Sequence, residues 1–242
     1  MHSSMHATSI TVSSGGFLGL YMLGVATHLK GCVDLSSSRI GGVSAGACVA
    51  GFLLSEESNE EWVRSVILPR ICNDLTARPG LRQAWGHVPD LIRTLLSDMP
   101  DLDATRGFVA VTRVSSHPPF VEREIKENFV GLEQYIDYAI LSAFVPVLCG
   151  HIARSYGDHY YMDGALTSRV PIPTGHDACD NLFIHPGMFG REFSWRDCSN
   201  ISPYRAYRLF ALGRQDAQRH EAQLRGMFSA SATEQRTAFR TE

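Results

Sequence analysis

The chain has 242 residues, 44% of them hydrophobic, and 25 acids against 22 bases give it a formal charge of -3. That is enough to bury a full core unaided and suits one globular α/β domain, or such a domain with a tail. No apolar run approaches the roughly 20 residues that cross a bilayer, which excludes a spanning helix and leaves any membrane contact peripheral.

The first eight residues, "MHSSMHAT", lack a charged segment followed by an apolar one, so no cleaved signal peptide is expected. "SITVSS" (9 to 14) reads as a short buried strand that breaks at Gly15-Gly16. "FLGLYMLGVATHLK" (17 to 30) is apolar nearly all round, the mark of a helix buried on several sides and ending near Gly31. "RIGGV" (39 to 43) is a second strand stopping at Ser44, and the small residues of "SAGACVAGFLL" suit a helix packed closely on a sheet. Residues 56 to 106 are mainly helical, with apolar residues at three- and four-residue intervals in "EEWVRSVILPRI" and "VPDLIRTLLSDM".

"FVAVTRV" (108 to 114) is the clearest later strand, while "FVEREIKENF" (120 to 129) and "GLEQYIDYAILSAF" (131 to 144) read as helical. "HYYMDGAL" (159 to 166) is a strand ending in a turn at Asp163-Gly164, and "NLFIHP" (181 to 186) is another strand. Residues 204 to 229 form a C-terminal helix, with "SATEQRTAFRTE" beyond it expected to fray. Strands alternating with helices predict a mostly parallel sheet covered on both faces. No repeat or linker is visible. Six cysteines are scattered without C-x-x-C or Cys/His zinc spacing, and are read as reduced, mostly core residues.

Gly42-Val43-Ser44-Ala45-Gly46 matches G-x-S-x-G between a strand and an apolar helix, the context in which a nucleophilic serine sits on a strained turn. On this stretch alone, nucleophile and small-residue turn stand equal. Gly15 and Gly16, between a strand and a helix, can turn unblocked N–H groups outward to meet an oxyanion. The rival is a phosphate-cradling loop, since "SGGFLG" is one residue from G-x-G-x-x-G, with Ser14 in place of the first glycine and only Asp34 as the downstream acid. The proton acceptor is either a histidine, His176 or His185 in a triad, or Asp163 itself, delivered by a parallel strand to the same sheet edge as Ser44.

Taken together, "ITVSSGGFLGLYMLGVATHL", "GGVSAGA" and "LSAFVPVLCGHI" followed by "YYMDGALTSRVPIP" resemble the patatin-like phospholipases, in the branch of adipose triglyceride lipase and adiponutrin, over roughly residues 9 to 185. The resemblance implies a three-layer α/β/α fold and a Ser/Asp dyad without catalytic histidine. Ser44 matches the nucleophile, Asp163 the proton acceptor, and Gly15, Gly16 and Gly19 the oxyanion loop. Gly42, Gly46 and Gly164 match the elbow and turn glycines. No metal or organic cofactor is implied. Residues 9–185 would be the catalytic core and 186–242 a partly helical, mildly basic extension.

The implied activity is hydrolysis of fatty-acyl esters of glycerolipids, triacylglycerol or phospholipid, through an acyl-enzyme. Transacylation at the same site, or a catalytically weak relative that binds lipid or a partner, are the alternatives. Phe17, Leu18, Leu20 and the helix after Ser44 would line an acyl pocket. The expected setting is cytoplasmic, peripheral to a membrane or lipid droplet, with no nucleic-acid partner.

The charge pattern bears on that setting. Residues 201 to 242 hold 7 arginines against 4 acids, a +3 end on a body of -6, which favours an anionic surface or is simply a solvated basic helix. "SWRDCSNISPYRAYRLF" (194 to 210) mixes Trp, Tyr and Arg as lipid interfaces do, though ordinary helices do so too. His28, His87 and His117 have no partner suggested by spacing.

Overall fold

A computed structural model describes residues 9–77, 81–99, 101–168, 170–176, 181–199 and 202–228. The segment read for a signal peptide, the tail expected to fray and Cys179 lie outside the described residues. Among the described residues, seven strands form one mixed sheet. β1 (Ser9–Val12), β2 (Arg39–Val43), β3 (Gly107–Val114) and β7 (Asn181–Ile184) pair in parallel in the order β3-β2-β1-β7. β1 and the first six residues of β3 are buried throughout, as strands covered on both faces are. Helices flank this sheet in a three-layer α/β/α arrangement.

β1 leads through a 3-10 turn (Gly16–Leu18) into α1 (Gly19–Cys32). α2 (Ala45–Leu54) follows β2 directly. The helical stretch then runs through α3 (Glu60–Trp62), a π-helical turn (Val63–Ile67), α4 (Leu68–Ala77) and α5 (Leu81–Ser97). α6 (Leu132–Ser142) precedes the hairpin of β5 (Arg154–Tyr156) and β6 (His159–Met162). After β7 come α7 (Trp195–Ser199), α8 (Pro203–Arg219) and α9 (Glu221–Gly226).

Three expectations are corrected. "FVEREIKENF" is not helical: β4 (Val121–Glu127) pairs antiparallel with β3 from Phe108↔Glu127 to Val114↔Val121. Its acids and bases favour a helix locally, but the open edge of β3 offers a full ladder, and Arg113 pairs across it with Glu122 at 2.5 Å. The C-terminal helix is two, because the chain leaves helical geometry at His220, whose ring stacks on Phe189 at 4.5 Å. The strand before Asp163 is antiparallel to β3, not parallel.

α1 is buried on nearly every side because α8 lies across it. Gly24 meets the Phe210 carbonyl and Gly213 meets the Tyr21 carbonyl, so the two helices approach to backbone contact. Tyr21, Phe52, Phe108, Tyr135 and Phe210 are the largest fully buried side chains.

Candidate active site

The register of β3 explains how Ser44 and Asp163 meet. β4 covers one edge of β3 along its length, so β2 and β6 share the other, β2 against residues 107 to 110 and β6 against 112 to 114. Val43 lies opposite Ala110 and Met162 opposite Thr112. The next residue of each strand, Ser44 climbing and Asp163 descending, therefore falls at the level of Val111. The two strands end head to head, and Ser44 Oγ donates a hydrogen bond to Asp163 Oδ2 at 2.7 Å.

Ser44 holds φ 57° and ψ -129°, a region disfavoured for any residue with a side chain. The surroundings compensate. Its N–H donates to Ser142 Oγ at 2.7 Å, and Ser142 Oγ donates to the Ala110 carbonyl at 2.6 Å. α2 starts at the next residue, so its free N–H groups and positive dipole end face the Ser44 side chain. Only glycine fits at 46, because a methyl there would overlap the carbonyl oxygens of Val12 and Ser13. Gly42 backs directly onto Gly46, and Gly164 onto Ala110.

Asp163 is 5% exposed. Its second oxygen accepts the Ala165 N–H at 2.8 Å, its own N–H donates to the Phe144 carbonyl at 2.9 Å, and Thr112 Oγ1 donates to its carbonyl at 2.9 Å. Burial pushes the carboxyl up to about 6, against the opposing pull of the hydrogen bonds from Ser44 and Ala165. The side chain is thus a better base than an exposed aspartate and still ionised at neutral pH. Neither His176 nor His185 is among its partners; the His185 ring stacks on Phe183 at 4.9 Å.

In the glycine loop, Gly16 takes φ 54°, and a side chain there would strike the Cys198 carbonyl. Among the described residues the N–H groups of Gly15 and Gly16 find no acceptor, as an oxyanion site requires. Gly19 departs from expectation: its N–H bonds the Gly16 and Phe17 carbonyls, and its place is set by contact with the Ala45 side chain. Asp34 accepts the Ser36 N–H in an exposed turn.

An apolar groove opens beside Ser44, with about 880 Å³ of empty space including its mouth. Phe17 and Leu20 line it as expected; Leu18 instead points into the core. The wall that sequence reading missed is α5, whose Trp85, Val88, Ile92, Leu95 and Leu96 form one stripe. Trp85 stands by the glycine loop, with its ring 5.6 Å from Phe17, and Leu96 reaches Gly51, two turns beyond Ser44. The groove thus follows α5 for about 16 Å at roughly 1.5 Å per residue. Among the described residues, Ser44 is the one lining residue with a side-chain oxygen.

Among the described residues, five cysteines are free thiols, with Cys72 and Cys149 buried and Cys32, Cys48 and Cys198 half-buried. Tyr204 and Tyr207 of the aromatic-basic stretch are exposed on α8. Among the described residues, no helix is long and apolar enough to cross a membrane.

The family model for patatin-like phospholipases matches residues 10–175. Human omega-hydroxyceramide transacylase is 26% identical over 209 residues, covering 84% of this chain and 38% of that protein. Human patatin-like phospholipase domain-containing protein 4 is 30% identical over 191 residues, covering 71% of this chain and 70% of that protein. The solved structure of VipD from Legionella pneumophila aligns with 73% of this chain and 49% of its own at a TM-score of 0.42 and 15% identity. The chain thus spans well under half the length of the first of these relatives and over two thirds of the second. With three ordered motifs inside the matched region, the chain belongs to the patatin-like phospholipase family.

Proposed function

We propose that the chain is a serine acyl hydrolase that cleaves long-chain fatty-acyl esters of glycerolipids, triacylglycerol or phospholipid, with Ser44 as nucleophile and Asp163 as its proton acceptor. The observation that carries this reading is the 2.7 Å Ser44–Asp163 hydrogen bond at the head of a wholly apolar groove. Ser44 Oγ attacks the ester carbonyl carbon while its proton passes to Asp163, and the oxyanion meets the Gly15 and Gly16 N–H groups. Collapse of this intermediate expels the alcohol, which takes the proton from Asp163 and leaves acyl-Ser44. Water, deprotonated by Asp163, then attacks acyl-Ser44 and releases the fatty acid as Ser44 Oγ takes the proton back from Asp163.

The groove sets the substrate class. Its run of about 16 Å equals one leaflet of a hydrocarbon core of about 30 Å, so it takes a full-length acyl chain. Residues 9–185 carry the chemistry in this reading, and 186–242 form an extension whose described residues brace it.

Labelling with a fluorophosphonate and turnover of a short-chain ester test the proposal. The native chain is expected to do both and Ser44→Ala neither; a folded native chain that does neither is the lipid- or partner-binding relative instead. The name of the human transacylase favours one second reading, in which an acceptor alcohol replaces water at acyl-Ser44. Product analysis with and without added diacylglycerol or a long-chain alcohol separates transfer from hydrolysis.

A further inference from the structure

We infer that the loop of residues 145 to 152, with Val147 and Ile152 at its surface and Leu166 beside it, docks the groove mouth onto a neutral lipid surface. The inference rests on the proposed acyl hydrolase and names the surface from which it draws its substrate.

The loop bridges the two sides of the site. At its start, the Phe144 carbonyl accepts the Asp163 N–H at 2.9 Å. Further on, Cys149 Sγ donates to the carbonyl of Trp85, a residue that lines the groove, at 3.5 Å. The Val147 N–H donates to the His151 carbonyl at 2.9 Å and folds the loop back on itself. Two of its side chains nevertheless face solvent: Val147 is 68% exposed and Ile152 74%. Leu166, on the turn that Asp163 caps, is 59% exposed.

Scattered exposed aliphatics are ordinary on protein surfaces. These three differ in place, beside the Ser44–Asp163 pair, and Val147 differs in conformation as well. Val147 holds φ 68°, a left-handed conformation that is an outlier for a β-branched residue. Asparagine or glycine would adopt it with less strain, yet the position carries an apolar side chain turned outward. "VPVLCGHI" also contains no acid, lysine or arginine, so the rim suits an uncharged apolar surface rather than an anionic one.

The substrate supplies the reason. Each methylene drawn into water lowers the equilibrium about fourfold, so a long acyl chain must pass from lipid to groove without crossing water. Exposed aliphatic side chains on the loop that links Asp163 to Trp85 would give it an apolar path to the groove.

The test uses phosphatidylcholine vesicles and a Val147→Asn/Ile152→Asn double variant of the whole chain. Asparagine tolerates the backbone at 147, so the variant is expected to melt no lower than the native protein. Vesicle-bound protein should fall about tenfold and keep that deficit in high salt. Turnover of an emulsified long-chain ester should fall in parallel, while that of a dissolved short-chain ester holds. Unchanged vesicle binding overturns the inference. So does loss of binding only in Tyr204→Ser/Tyr207→Ser, or a dimer that the double variant dissolves with no change on vesicles. A native protein that binds vesicles through this loop yet cleaves neither ester would sink the hydrolase reading and leave the docking surface standing.

Discussion

At the scale of single residues, Ser44 and Asp163 are pushed away from their relaxed states by the same neighbourhood. Ser44 is held at positive φ, and Asp163 is buried with its proton affinity raised to about 6. The sign of the pH dependence follows. The folded-state value lies above the ordinary 3.8, so the folded protein binds this proton more tightly than the unfolded chain. The contribution to stability is full below the ordinary value and is lost as pH rises through about 6. In the proposed dyad activity runs the other way, because only the ionised carboxylate would accept the serine proton. We expect kcat/KM on a short-chain ester to rise through about 6 and then level. Asp163→Asn should lower it by about 10²–10⁴-fold and narrow the gap in melting temperature between acid and neutral pH. A melting profile with the same pH slope in Asp163→Asn would place the titration elsewhere. Ser44 and Asp163 were legible because G-x-S-x-G and Asp-Gly are local patterns. Ser142, which holds the Ser44 N–H, was not: it lies 98 residues away on a helix where nothing local distinguishes it.

At the scale of elements, the chain revealed which segments are periodic but not what they pack against. α5 reads as an amphipathic helix, and its apolar stripe would ordinarily be buried in the core. Here the same stripe walls the groove, with Val88 and Leu95 only half-buried. β4 was missed for a similar reason: its charged residues favour a helix until the open edge of β3 claims their backbone. The direction of β6 is set by its hairpin with β5, and it brings Asp163 to Ser44 from the opposite side of the register. If α5 measures the acyl chain, filling the groove should shorten the chain it accepts. We expect Leu95→Trp to depress turnover of esters of about 16 carbons roughly tenfold relative to those of about four, a contrast of the size that one or two misfit methylenes produce. Met99→Trp, at the deep end, should cut only the longest chains. Equal losses at every chain length would mean that these positions affect folding or chemistry, not length.

At the scale of the whole molecule, the described residues after β7 are tied to the site by polar contacts around one buried aspartate. Gly16 lies under the Cys198 carbonyl, so the segment after β7 covers the glycine loop. That segment is fastened by Arg191, which bonds both oxygens of Asp216 at 2.7 and 2.8 Å, while Tyr21 donates to the same carboxylate at 2.9 Å. The clasp thus joins the loop after β7, α8 and α1 around one buried aspartate. The Arg191 hydrogen bonds hold the Asp216 carboxyl below its ordinary value, so its contribution is present above that value and lost as pH falls through the lowered one, opposite in sign to that of Asp163. Removing the carboxylate leaves Arg191 and the Tyr21 hydroxyl without their partner. Because Arg191 is partly open to solvent, Asp216→Ala should cost about 2–3 kcal/mol, below the range for a fully buried pair. That corresponds to a melting point lower by roughly 4–12 °C in a chain of this size. Tyr21→Phe, which loses one hydrogen bond, should cost about 1 kcal/mol. Through the cover it gives Gly16, the clasp also bears on the glycine loop proposed to hold the oxyanion, so Asp216→Ala should slow turnover of a dissolved ester at temperatures well below its melting point. Native turnover in a variant that melts early would confine the clasp to stability and release the glycine loop from its control.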